Sequence, residues 1–200
     1  MYLVLDPDWP TLLGEVIEHG AAFAAGALRG SFCRQLAAEL QDGPYEPVEA
    51  VIGQVRQEAE SFLVCAAEQD RYPLLTVLGT EIARHVQRCG LPEWLPNEVA
   101  VQRYQPGSLG ITPHRDQRRY ALLVAVVTIT GSAPFTLCHN RAGDPIRTWQ
   151  AGEGSLVLLR GPGLAGHPDG RPLHLVGGPA GAPRTSIGIR MDTASLRGGE

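Results

Sequence analysis

From Asn97 onward the chain is a succession of short apolar or alternating runs cut apart by glycine and proline, and this cadence constrains the fold more than any other feature. Residues 99–104, 121–129, 135–138, 146–150 and 155–160 read as strands. Strands so closely spaced close best into a barrel of two facing sheets. We therefore expect an α+β protein with a mainly β core, a jelly-roll-like barrel, with N-terminal helices packed outside. Residues 11–20 and 31–41 read as helices, the second opened by a Ser31 cap and stopped by Asp42-Gly43-Pro44. Residues 74–89 form a third, with Leu75, Leu78, Ile82 and Val86 on one stripe. Residues 51–69 mix β-branched residues with helix formers and are expected to be strand first, then strand or loop. Residues 1–9 read as a short strand and turn. With 200 residues and 44% hydrophobic content, one compact domain can bury a core. Within it, residues 1–96 form an elaboration and substrate lid, 97–192 the barrel core and 193–200 a frayed tail.

The barrel segment carries the chemistry. Tyr104-Gln-Pro-Gly-Ser-Leu-Gly-Ile-Thr-Pro-His114-Arg-Asp116 is followed by His174 and then by Arg184 and Arg190. In a strand, residues two apart project to one side, so His114 and Asp116 form a rigid two-ligand clip. His174 stands in the apolar run 172–176, which can return beside the first strand. Two imidazoles and one carboxylate on one face of an iron leave positions open for a bidentate co-substrate and oxygen. A dicarboxylate chelating the metal at one end needs a buried cation at the other, and an arginine fork meets a carboxylate through two parallel hydrogen bonds. Arg184-Thr-Ser-Ile-Gly-Ile-Arg190 is a period-two segment that puts Arg184, Ser186, Gly188 and Arg190 on one face and Thr185, Ile187 and Ile189 on the other. Ser186 can add a hydroxyl bond beside Arg184.

These residues resemble the iron(II)- and 2-oxoglutarate-dependent oxygenases with a double-stranded β-helix core, and within them the AlkB-like branch, over residues 97–192. The resemblance implies that His114, Asp116 and His174 ligate Fe(II) and form the catalytic centre. It implies that Arg184 pairs with the far carboxylate of 2-oxoglutarate, that Tyr104 hydrogen-bonds it, and that Arg190 sits near the metal-proximal carboxylate and Asp116. Gln102 and Ser186 stand where the branch usually has asparagine, and Arg-x-Ser after the distal histidine is also the pattern of many small-molecule oxygenases. The implied reaction consumes O2 and 2-oxoglutarate, releases succinate and carbon dioxide, and hydroxylates a substrate C–H bond; where that carbon carries nitrogen, demethylation follows.

The chain has no lysine, so all 17 basic side chains are arginine. That excludes Schiff-base chemistry and a P-loop, and leaves arginine to hold any anionic ligand. The net charge of −4, with no basic stripe interleaved with aromatics, disfavours broad capture of duplex DNA. Arg115, Arg118 and Arg119 nevertheless cluster beside the clip and are candidate substrate contacts for a phosphate or carboxylate. Trp9, Tyr45, Tyr72 and Trp94 could stack on a ring but read first as core. A second His-x-Asp, His167-Pro-Asp169, lies in a loop rich in glycine and proline and reads as loop chemistry. His19, His85 and His139 have no partner at ligand spacing. Cys33, Cys65, Cys89 and Cys138 are scattered, which fits reduced thiols and a cytoplasmic protein. No run reaches the length of a membrane span.

Three readings follow: an oxygenase of a small molecule, with nucleic acid a lesser possibility as partner; an AlkB-like demethylase of alkylated nucleobases or nucleotides; and a non-enzymatic metal-binding barrel of cupin-like form.

Overall fold

The computed structural model describes residues 7–194; residues 1–6 and 195–200, expected as part of a strand and a frayed tail, lie outside that range. In chain order the helices are α1 Trp9–His19, α2 Gly30–Leu40 and α3 Pro73–Arg88. The strands are β1 Ala21–Ala24, β2 Glu46–Pro47, β3 Val51–Ile52, β4 Val55–Arg56, β5 Glu60–Val64, β6 Glu98–Tyr104, β7 Ile111–His114, β8 Tyr120–Thr130, β9 Ser132–Cys138, β10 Pro145–Gly152, β11 Leu156–Arg160, β12 His174–Val176 and β13 Arg184–Asp192. They form an antiparallel seven-stranded sheet, β1-β11-β8-β13-β6-β5-β2, facing a four-stranded sheet, β10-β9-β12-β7, with β3 and β4 a separate hairpin. This is the expected double-stranded β-helix with helices outside. Three strands of the large sheet, β1, β2 and β5, come from the chain before Asn97.

The large sheet buries both faces, and the period-two pattern divides its side chains. Leu123, Ala125, Val127 and Ile129 of β8, Leu156 and Leu158 of β11, and Ile187 and Ile189 of β13 pack outward against the helices. The helices answer with Leu12, Leu13 and Val16 of α1, Leu36 and Leu40 of α2, and the expected Leu75, Leu78, Ile82 and Val86 stripe of α3. Each fully buried leucine or isoleucine contributes roughly 1.5–3 kcal/mol. Val124 of β8 and Val157 and Leu159 of β11 point inward, where they meet Phe135, Leu137 and Trp149 of the small sheet.

Two helix starts differ from expectation. The first helix begins at Trp9, because Asp8 caps it by accepting from the Thr11 backbone N–H at 3.2 Å. The second begins at Gly30 after Arg29, so Ser31 lies within the first turn and does not cap it; the preceding chain is already fixed by Leu28 N–H donating to the Gly154 carbonyl at 3.0 Å. Residues 51–69 resolve into the β3–β4 hairpin and β5, followed by a 3-10 turn over Ala66–Arg71. Among the described residues no helix is long and apolar enough to cross a membrane.

The two short strands that flank the metal-ligand candidates are held together by a close backbone contact. Gly110, at φ +75°, precedes β7, and a Cβ there would lie 2.1 Å from the Val176 carbonyl oxygen at the end of β12. Only glycine fits both the left-handed backbone and that approach. Gly110→Ala is therefore expected to destabilise the fold by at least about 2 kcal/mol, whereas Gly181→Ala, with open space around it, stays within about 0.5 kcal/mol; thermal unfolding of the two variants against the parent checks this.

Candidate active site

Pairing between β7 and β12 sets His114 directly opposite His174. The two rings lie 4.2 Å apart between centroids, tilted by 54°. One ligand atom each from His114, Asp116 and His174 falls within 4.8 Å of the others. Asp116 does not owe its place to strand period, since β7 ends at His114. Its backbone carbonyl is instead held by the Arg171 guanidinium, which is clasped by both Asp169 carboxylate oxygens at 2.8 Å. The loop copy of His-x-Asp thus supplies a residue that acts through Arg171 on the neighbourhood of Asp116.

Both imidazoles are oriented for ligation. His114 Nδ1 lies 3.0 Å from the Thr112 carbonyl and His174 Nδ1 lies 3.2 Å from the Pro172 carbonyl. A carbonyl can only accept, so each Nδ1 carries a proton and Nε2 is the ring nitrogen left to meet a metal. Phe135 stacks on His174 at 5.2 Å and 9°, which fixes the ring plane. Burial, reinforced by the facing His174, pushes the His114 pKa down to about 4. Two imidazoles, a carboxylate and this spacing suit a two-histidine, one-carboxylate iron site.

On the opposite wall, Arg184 is 1% exposed. It donates to Thr128 Oγ1 at 2.9 Å and to Ser186 Oγ at 3.3 Å, while its Nε finds no partner among the described residues. Among the described residues no carboxylate pairs with it, and burial lowers its pKa below the usual arginine value. A buried guanidinium without counter-charge is costly unless a ligand supplies one. Tyr104 faces Arg184 across the β13–β6 pair, its ring 5.6 Å from the guanidinium, and Gln102 faces Ser186. Arg190 differs, because Glu98 Oε1 accepts from it at 3.1 Å and Tyr120 OH at 3.3 Å. Burial opposes its charge, but Asp116, Tyr120 and Glu98 outweigh that and raise its pKa.

These groups line one cavity of about 440 Å³, walled by Val124, Val126, Phe135 and Val176. Its mouth is formed by Glu49, Ile52, Val55 and Gln57 on and around the β3–β4 hairpin. The hairpin is tied to β7 by the Arg56 N–H donating to Thr112 Oγ1 at 2.9 Å. Of the arginine trio, Arg115 lines this cavity. Arg118 pairs with Asp169 at 3.2 Å, and Arg119 pairs with Asp192 at 3.1 Å and Glu98 at 3.5 Å. Trp9, Tyr72 and Trp94 are core, and Tyr45 packs edge-on against Phe62. Sequence reasoning missed Thr128, Phe135 and Tyr120, although alternation along β8 already puts Thr128 on the face of Val124 and Val126.

No protein-family model matches the sequence, and no curated protein is similar to it. Solved structures are informative. A 2OG-Fe(II) oxygenase family oxidoreductase from Burkholderia pseudomallei superposes with a TM-score of 0.69 at 14% identity, covering 94% of this chain and 92% of that one. The fold is that of the iron(II)- and 2-oxoglutarate-dependent oxygenases. A Pseudomonas putida prolyl-4-hydroxylase shares this oxygenase fold with a TM-score of 0.64 at 16% identity, over 93% of this chain and all (100%) of that one. So does the non-heme alpha-ketoglutarate-dependent epimerase of nogalamycin biosynthesis, with a TM-score of 0.62 at 15% identity, over 92% and 83% of the two chains.

The depressed His114 pKa has a stability consequence in the metal-free oxygenase fold. An unfolded imidazole takes up its proton near pH 6.5, whereas the folded one waits until about 4. Between those values the unfolded state binds more protons, so stability falls as pH drops through this window and levels off below it. Chemical denaturation of the metal-free protein across this range should show that loss, and His114→Gln should reduce it.

Proposed function

We propose that this chain is an Fe(II)- and 2-oxoglutarate-dependent dioxygenase that hydroxylates a C–H bond of a small molecule, consuming O2 and releasing succinate and carbon dioxide. The observation that carries the reading is Arg184, a buried guanidinium without a carboxylate partner among the described residues, facing the same cavity as His114, Asp116 and His174. A metal-binding barrel without a co-substrate would have no use for that charge, which argues against the non-enzymatic alternative.

In this reading His114 and His174 offer Nε2, and Asp116 a carboxylate oxygen, to the metal. Arg184 grips the far carboxylate of 2-oxoglutarate through its fork, with Ser186 and Thr128 fixing the guanidinium plane and Tyr104 and Gln102 flanking the ligand. Arg190 balances the charge of Asp116 from its seat on Glu98 and Tyr120. Val124, Val126, Phe135 and Val176 keep water from the reacting centre. When bound, the iron and 2-oxoglutarate supply the oxidising power for the C–H bond, and the protein supplies position and dryness.

A cavity of about 440 Å³ has the size of a small-molecule site. The AlkB-like alternative keeps the support of the Arg184 and Arg190 spacing, and turnover of methylated oligonucleotide with formaldehyde release would favour it. The four cysteines are free thiols, in keeping with a cytoplasmic setting.

Substrate-free conversion of 2-oxoglutarate to succinate gives a test that needs no knowledge of the substrate. The iron-loaded protein is expected to make succinate slowly under air, and His114→Ala and Asp116→Ala to lose at least about 99% of that rate because the open-sided metal site is gone. Undiminished succinate formation in both variants would remove the site from the reaction.

A further inference from the structure

A second cavity, of about 520 Å³, lies against the loop that leads into His174 and shares Arg115 with the first. Arg115, Arg118, Arg160 and Arg171 line it together with His19, and among the described residues Asp169 is the one acidic residue that does so. Asp169 is already engaged by Arg171 at 2.8 Å and Arg118 at 3.2 Å. Neither Arg115 nor Arg160 has a carboxylate at ion-pair distance among the described residues; Arg115 Nε donates to the Arg171 carbonyl at 3.1 Å. Arg160 is seated by backbone, with Nε donating to the Gly170 carbonyl and Nη1 to the Ile17 carbonyl, both at 2.8 Å. A Cβ on Gly170 would lie 2.4 Å from Arg160 Nε, so this guanidinium occupies a space that only glycine leaves open.

Asp169 answers part of the charge of Arg118 and Arg171, but four arginines around one carboxylate still repel one another. An oxyanion relieves the repulsion and meets guanidinium forks in their preferred geometry. We propose that this cavity is an anion subsite that holds a phosphate or carboxylate head of the substrate. Arg115 lines both cavities, which sets this subsite beside the cavity that holds the metal-ligand candidates. The attachment of the anion to a substrate rests on the oxygenase reading; the binding of the anion does not.

The test uses the full, metal-free protein at constant ionic strength, titrated with inorganic phosphate and, separately, acetate, while the backbone amide resonances of Gly20 and Gly170 are followed. Phosphate is expected to move both saturably, and the affinity to fall about tenfold in Arg118→Ala, which holds no backbone carbonyl, and in Arg160→Gln. A matching acetate response admits carboxylate heads as well, and its absence makes the subsite selective for phosphate; both uphold an anion site. No saturable shift with either anion, or unchanged affinity in a folded Arg118→Ala protein, would overturn the proposal. Iron and 2-oxoglutarate binding are measured apart from this, so loss of the subsite and loss of the oxygenase reading give different results.

Discussion

The structure depends on a strand that must bury both of its faces while one of them carries charge. On β13, Ile187 and Ile189 pack under the helices, and Arg184, Ser186 and Arg190 turn into the barrel. Burying a guanidinium is expensive, and nothing on the helix side could tolerate it. The alternation that feeds the core therefore also forces Arg184 to the one place where a ligand can answer it. Gly188, between them on the same face, leaves the space into which the Arg190 guanidinium folds, 3.1 Å from where a Cβ would stand.

Two arginines on one strand face thus have different fates. Arg190 is consumed by Glu98 and Tyr120, and its charge serves the fold and the electrostatics around Asp116. Arg184 is left with two hydroxyls, which fix its plane without cancelling its charge. The same contrast separates Arg119, paired with Asp192 and Glu98, from Arg115 and Arg160, which no carboxylate accompanies among the described residues. In a chain without lysine, partner carboxylates rather than residue type decide which cations are structural.

Much of this was legible in the order of residues. Period two along β13 sorted Arg184 and Ser186 from Ile187 and Ile189, and the α3 stripe read directly from its apolar spacing. The pairing of His114 with His174 was less accessible, because it rests on two strands of four and three residues brought together by glycine contacts at Gly110. Strand period does not reach Asp116: it lies beyond β7, and Arg171 and Asp169 hold its backbone from a loop with no periodic signal. Phe135 behind His174 and the hairpin at the cavity mouth depend on tertiary contacts that no local pattern encodes.

The most direct measurement is an anaerobic titration of the iron(II)-loaded protein with 2-oxoglutarate, following the metal-to-ligand charge-transfer band in the parent chain and in Arg184→Met. Removing the partner of a buried carboxylate costs about 3–5 kcal/mol, so the variant should need at least about a hundredfold more 2-oxoglutarate. Its metal-free form should unfold no earlier than the parent, since an unpaired buried charge has been replaced by an apolar side chain. Equal affinity in the two proteins, or no band in folded, iron-loaded parent protein, would contradict the account.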